Sequence, residues 1–147
     1  MQILTRLAIP SDAAAILHLN AAFNDVRAPV EHIAAHIAQR SHFETPFVAS
    51  IDGQVVGLAC LRLIPMLCDP IPSAELTELI VDPHFRRQGV GHALVRRVEQ
   101  AAREQGARML SLMTAWHNTQ AHAFYHAMGY RLYTLTMQRS LDQQDKG

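Results

Sequence analysis

Two glycines, Gly89 and Gly91, stand where a strand-like run ending at Val81 gives way to a long amphipathic stretch beginning at Val90. Glycine lets a main chain approach a ligand closely, and the first N–H groups of a helix have no internal acceptor. Together these features make an anion site suited to a diphosphate. Two nucleotide-binding patterns fail on the flanking residues. A Walker loop needs Lys and Ser or Thr at the helix start, but His92 and Ala93 follow Gly91. A dinucleotide fingerprint needs a third glycine where Leu94 stands. What is left is Arg86-x-x-Gly89-x-Gly91, with Arg87, Gln88, Val90 and His92 around it.

Glu75 and Glu78 are the acidic residues on the strand leading into this turn. Strict alternation puts Glu75 with Thr77, Leu79 and Val81 and turns Glu78 to the opposite face, an order that a bulge would exchange. A carboxylate at the end of such a strand is able to take up a proton. Downstream, Asn118 precedes a helical run containing Phe124 and Tyr125. Asn118 suits a helix N-cap, and Phe124 suits core packing. The pairs His32/His36 and His122/His126 have the i,i+4 spacing of metal ligands but lack an HExxH glutamate or a nearby cysteine, so they read as solvent-facing. His84 and His92 flank the glycine turn and read as surface residues or phosphate contacts. Trp116, Met109 and Met113 read as packing.

These groups need a scaffold, and the pattern supplies one. Gln2–Ala8 reads as a strand, Pro10-Ser11-Asp12 as a helix start with Ser11 or Asp12 as cap, and Ala13–Phe23 as the helix. A second helix begins at Pro29. Asp52-Gly53 joins two apolar runs into a hairpin, and Pro65, Pro70 and Pro72 mark a loop. Ala74–Val81 reads as a strand, Val90–Gln105 as the clearest helix with Gly106 as its C-cap, and Ala107–Thr114 as a covered strand. Asn118–Met128 reads as a helix ended by Gly129, and Tyr130–Leu141 as a last strand. The order is mixed α/β, with helices covering a central sheet.

Arg86-x-x-Gly89-x-Gly91 resembles the R/Q-x-x-G-x-G/A element of the GNAT superfamily of acyl-CoA-dependent N-acetyltransferases. Asn118-x-x-Ala121-x-x-Phe124-Tyr125-x-x-x-Gly129-Tyr130 resembles its N-x-x-A-x-x-F-Y-x-x-x-G-F/Y segment, and the likeness runs in order from Phe47 to Leu141. It implies the GNAT fold, a twisted, mostly antiparallel mixed sheet of about six to seven strands flanked by about four helices. It also implies one domain over 1–141 with a polar tail, 142–147. Acetyl-CoA is the implied co-substrate, with no metal. Its pyrophosphate would lie on N–H groups of Arg87, Gln88, Gly89, Val90, Gly91 and His92, with Arg86 and Arg87 adding charge. Leu79, Ile80 and Val81 would pair with the pantetheine arm, and the Val81 N–H would polarise the acetyl carbonyl. Tyr125 matches the family's general acid, and Asn118 would cap its helix and touch the cofactor arm. Glu75 is the first choice of base on alternation, followed by Glu78. Glu75 also lines the acceptor site, and Arg27 stands where members shape the acceptor pocket, suited to an anionic group. The segments Ala74–Leu79 and Ala121–Tyr125 look similar to aminoalkylphosphonate acetyltransferases.

The implied activity is acetyl transfer from acetyl-CoA to the primary amine of a small molecule, by direct attack in a ternary complex. The alternatives are a protein N-terminal or lysine acetyltransferase and a non-catalytic acyl-CoA-binding module. Composition narrows the field further. The chain has 147 residues, 49% of them hydrophobic and 18% charged, and a net charge of +0, without the basic excess of a non-specific nucleic-acid binder. Its only lysine is Lys146, so a lysine Schiff base and a P-loop lysine are excluded from a folded site. Cys60 and Cys68 form neither a zinc-finger set nor a CxxC pair. No apolar run reaches the length of about 18 residues that a membrane helix needs, and a cytoplasmic protein is expected, with a homodimer as the candidate assembly.

Overall fold

Asp52 and Gly53, both with positive φ (50° and 80°), form the tight turn that an Asp-Gly pair favours between antiparallel strands. The turn joins β2 (Thr45–Ile51) to β3 (Gln54–Ile64) and fixes Ile51 opposite Gln54. In a computed structural model, residues 1–25, 27–39 and 44–142 are described. The chain divides into two units, Met1–Met113 and Thr114–Gly147.

The first unit holds a five-stranded sheet in the order β1-β2-β3-β4-β5, with β1 Ile3–Leu7, β4 Ser73–Val81 and β5 Leu110–Leu112. The first three pairings are antiparallel and β4–β5 is parallel. The helices are α1 (Ala13–Ala21), α2 (Val30–Ala38) and α3 (Val90–Glu104). Ile16 and Leu19 of α1 and Ile37 of α2 bury against Val48, Leu58, Cys60 and Ile80 on one face of the sheet. On α3, Val90, Leu94 and Val98, four residues apart, are buried with Val95 and Ala102. This helix lies on the other face, because a side chain on Gly57, the neighbour of Leu58, would meet Leu94 and Val90. Gly106 (φ 89°) ends it, with the Ala107 N–H donating to the Ala102 carbonyl at 3.0 Å.

Three expectations change. Asp12 does not cap α1. Its carboxylate accepts from Arg6 (2.7 and 3.0 Å) and from the Ile9 N–H (2.8 Å), so it ties β1 to the turn that follows. The strand expected over Ala107–Thr114 shrinks to Leu110–Leu112. No strand is assigned over Tyr130–Leu141, so the sheet has five strands, fewer than the six to seven implied. Alternating side chains supply two faces, but a strand exists only with a ladder. The unit Thr114–Gly147, taken by itself, holds the helix α4 (Thr119–Ala127) and no strand among its described residues. Of the tail, residues 143–147 lie outside the described residues.

Candidate active site

The ladder between β4 and β5 covers only Ala74–Leu76 against Leu110–Leu112, whereas β4 continues to Val81 along β3. Among the described ladders, Thr77–Val81 therefore pair on one side only. Amide groups on the other side of that stretch are the kind an extended ligand satisfies by strand addition. Leu79, Ile80 and Val81, the residues expected to meet a pantetheine arm, occupy this stretch.

From Val81 the chain enters a short 3-10 turn, Pro83–Phe85. The Asp82 carboxylate, only 8% exposed, fixes it by accepting from the His84 backbone N–H and its ring Nδ1, both at 2.9 Å. The His84 N–H, then burial acting against it, then the His84 ring set the balance that holds Asp82 below the usual carboxylate range. Arg87 (φ 59°) and Gly89 (φ 89°) are both left-handed, the loop conformation that turns successive N–H groups into one concavity. The first α3 hydrogen bond runs from the Ala93 N–H to the Gly89 carbonyl (3.0 Å), and no side chain caps the helix. The N–H groups of Val90, Gly91 and His92 precede that bond, which leaves the positive helix end suited to an anion.

Gly57 explains how this turn sits so close to the sheet. A Cβ there would come within 2.8 Å of Leu94 Cδ1 and 2.9 Å of Val90 Cγ1, so the first turn of α3 rests on a strand position that only glycine permits. Arg86, expected to add charge at the diphosphate, is also held from the other side of the loop. Its guanidinium lies over the Phe23 ring, 5.3 Å from the centroid, and links the glycine loop to the chain leaving α1. Between α1 and the turn is a cleft of about 290 Å³ lined by His18, Leu19, Ala21, Ala22, Asp82, Pro83 and His84. Arg27 bends back so that Nη2 donates to the Ala21 carbonyl at 3.3 Å, which places a cation at the negative end of α1.

The two glutamates do not lie on opposite faces. The β3–β4 register shifts between Cys60 and Leu61: Cys60 pairs with Glu78, but Leu61 pairs with Leu76 and Arg62 with Glu75. Thr77 is the extra residue of a bulge, and its hydroxyl donates to the Cys60 carbonyl at 3.4 Å. The bulge restores the parity of Glu75 and Glu78, so both share the α1/α2 face with Cys60. Their surroundings differ. Arg62 Nη2 reaches Glu75 Oε2 at 2.6 Å. Glu78 is raised above the usual carboxylate range, by burial first and by the charge of Glu44 second. Burial also pushes the Cys60 thiol far up, so it is no thiolate nucleophile at neutral pH.

In the second unit, Asn118 caps α4 as expected, its Oδ1 accepting from the Ala121 N–H at 3.1 Å. Tyr125 packs edge-on against Phe124 (5.1 Å) and Tyr130 (5.7 Å), and burial pushes its hydroxyl up to about 12. His122 Nε2 lies 3.0 Å from the Ala115 carbonyl, and the His32 and His36 rings stack at 6.4 Å. Among the described residues, no group of three or more His, Cys, Asp or Glu is placed to hold a metal ion.

Sequence reasoning passed over Gly57, Asp82, Phe23 and Glu44. A glycine inside a strand and an Asp before a proline were legible signals for the first two. For Phe23 and Glu44 the partner is distant in the chain, and no local pattern announces it.

Residues 13–130 match the family model of the acetyltransferase (GNAT) family. The chain belongs to the GNAT acetyltransferase family. It is 32% identical over 130 residues to an aminoglycoside N(6')-acetyltransferase type 1 of Stenotrophomonas maltophilia, covering 85% of this chain and 84% of the relative. It is 35% identical over 80 residues to an aminoalkylphosphonate N-acetyltransferase of Salmonella typhimurium, covering 54% of this chain and 52% of the relative. Other curated relatives are spanned over only 38% to 40% of their length. Among solved structures, an acetyltransferase from Agrobacterium tumefaciens strain C58, described as a putative one, superposes with a TM-score of 0.84 at 26% identity, over 93% of this chain and 99% of that one. The GNAT fold therefore holds across both units, with fewer strands assigned than the family pattern implies.

Proposed function

We propose that this GNAT protein transfers an acetyl group from acetyl-CoA to the primary amine of a small molecule by direct attack in a ternary complex. One observation carries the reading. A strand pairing on one side only from Thr77 to Val81 runs into an uncapped helix N-terminus, which matches a ligand made of an amide-bearing arm and a diphosphate. The diphosphate takes the N–H groups of Arg87 to His92, and the arm pairs with Leu79–Val81.

In this mechanism the acceptor's ammonium gives a proton to Glu78, directly or through one water. The freed nitrogen attacks the thioester carbon, the Val81 N–H takes the developing oxyanion, and the C–S bond breaks. The thiolate leaves with a proton from Tyr125. The products are the N-acetylated amine and the free thiol of coenzyme A; the second proton, lost by the nitrogen after attack, returns to Tyr125, and Glu78 releases the first to solvent. Glu78 takes precedence over Glu75 because Glu75 is engaged by Arg62, whereas Glu78 is raised. Glu75 then serves as acceptor-site wall. The raised phenol suits a donor that is protonated at every working pH. The buried, protonated Cys60 favours direct attack over an acetyl-enzyme.

Relatives named for aminoglycosides and aminoalkylphosphonates support a small-molecule acceptor over a protein one. Arg27, which gives one of its N–H donors to Ala21, is the candidate grip for an acidic group on that acceptor. A single catalytic domain over 1–141 with a tail at 142–147 is supported by a family model that runs across both units. The use of acetyl-CoA and the unpaired Cys60 and Cys68 favour the cytoplasm. A homodimer through the last segment is the oligomer proposed.

Calorimetry with coenzyme A, followed by thiol release from acetyl-CoA across polyamines, aminophosphonates, aminoglycosides and peptides, tests the reading. Micromolar binding with turnover on a small amine is expected. Absence of binding overturns the site, and binding without turnover on any amine leaves the acyl-CoA-binding module in its place.

A further inference from the structure

Two fixed walls face each other across the cleft beside the glycine loop, and the residues just beyond them meet. On one wall, Asp82 holds the Pro83–Phe85 turn through the backbone N–H and ring Nδ1 of His84, both at 2.9 Å. On the other, the end of α1 is wrapped on Asn20. The Phe23 N–H donates to the Asn20 carbonyl at 3.0 Å and the Asn24 N–H to the same carbonyl at 2.9 Å. The Asn24 side chain adds a bond to Asn20 Oδ1 at 2.6 Å. Arg86 leaves the first wall and Phe23 the second, and the guanidinium lies over the ring, 5.3 Å from its centroid. The ring is 43% exposed, so it is a surface platform and not part of the core. Among the described residues, no carbonyl or carboxylate accepts from Arg86. A ring attracts a cation without supplying a lone pair, so the N–H donors of the group stay open.

We propose that Phe23 is a positioning residue for the acyl donor: its ring holds the Arg86 guanidinium at the mouth of the Arg87–His92 loop, with its N–H groups ready for the diphosphate. The inference rests on the diphosphate reading of that loop. An arginine on its long stem loses rotamer freedom when it grips an anion, and one held beforehand loses less. A neutral platform suits this task better than an acidic one. A carboxylate would hold the arginine as firmly but would cancel the charge that the phosphates need.

The test uses Phe23→Leu, Phe23→Tyr, Arg86→Gln and the Phe23→Leu/Arg86→Gln pair, read by calorimetry with coenzyme A. Kinetics with two thioesters go beside it, acetyl-CoA and acetylpantetheine, the second of which keeps the arm and lacks the diphosphate. Phe23→Leu is expected to weaken coenzyme A binding and raise the acetyl-CoA KM about two- to fivefold, with kcat unchanged. Its kcat/KM on acetylpantetheine should equal that of the wild type, and Phe23→Tyr, which keeps the ring, should restore the binding. With Arg86→Gln already present, Phe23→Leu should cost nothing more. Unchanged affinity in Phe23→Leu overturns the proposal. A loss that persists beside Arg86→Gln, or that acetylpantetheine shares, also overturns it by assigning the ring to packing. NMR gives a second measurement on the unaltered protein. The Arg86 side-chain protons should show the upfield shift of a ring neighbour both without and with coenzyme A, and loss of that shift on binding overturns the proposal. Wild-type protein that binds no coenzyme A overturns the diphosphate reading itself.

Discussion

Burial pushes Glu78 and Tyr125 in the same direction, with different consequences for each. For the carboxylate it produces a stronger base. For the phenol, up at about 12, it guarantees a proton to give. Glu78→Gln is expected to lower kcat/KM by roughly 10² to 10⁴ and to remove the acid limb of the pH profile. The sign of its stability effect is opposite. A glutamate raised in the folded state favours folding at low pH, and that contribution is lost as pH climbs through the folded value. Glu78→Gln should therefore have a higher Tm than the wild type at neutral pH while being the poorer enzyme. A lower Tm there would show that the charge costs nothing. Tyr125→Phe keeps the ring contacts to Phe124 and Tyr130 and is expected to lose about 10²-fold or more in kcat with little change in Tm. Full activity in that variant would strike Tyr125 from the mechanism.

At the scale of elements, the glycine loop works because α3 starts close to β3. Gly57→Ala forces Leu94 and Val90 to move, and both are almost fully buried. Overpacking of this kind costs about 1–3 kcal/mol, and here the displaced atoms belong to the turn proposed to offer N–H groups to the diphosphate. Denaturant unfolding should show that loss, and calorimetry should show coenzyme A binding weakened beyond what a fall in folded fraction explains. The loop and its helix were legible in the sequence because glycine spacing and a four-residue apolar repeat are local signals. The parity of Glu75 and Glu78 was not, since a single extra residue at Thr77 reverses it and a bulge is set by the neighbouring strand's register. Phe23 escaped notice for a related reason: its partner lies 63 positions away in sequence, from 23 to 86.

Across the whole molecule, the hairpin, the helices and the mixed sheet followed from turn chemistry and apolar periodicity. The segment after Gly129 did not resolve into a strand, because alternation states which faces a chain has and is silent on what pairs with it. The N-terminal anchor illustrates the same limit. Asp12 read as a helix cap, but its carboxylate is claimed by Arg6 and the Ile9 N–H. The Arg6 hydrogen bonds, outweighing burial, hold Asp12 below the usual carboxylate range. Its stabilising effect is complete above the unfolded carboxylate pKa and disappears as pH falls through the lower folded value. Asp12→Ala should cost about 1–3 kcal/mol by urea denaturation at neutral pH, with the gap to wild type closing in strong acid. A gap independent of pH would assign the effect to packing.

The early end of the β4–β5 ladder at Leu76 gives a central strand the solvent chemistry of an outer one. Among the described ladders, every second amide from Thr77 to Val81 on that flank has no strand partner. Those amides should trade hydrogen for deuterium quickly in the free protein and slow markedly once coenzyme A is added, while Leu58 and Ala59 across the closed flank change little. The acyl donor would thus be a temporary stave of the sheet, and each turnover would close and reopen it.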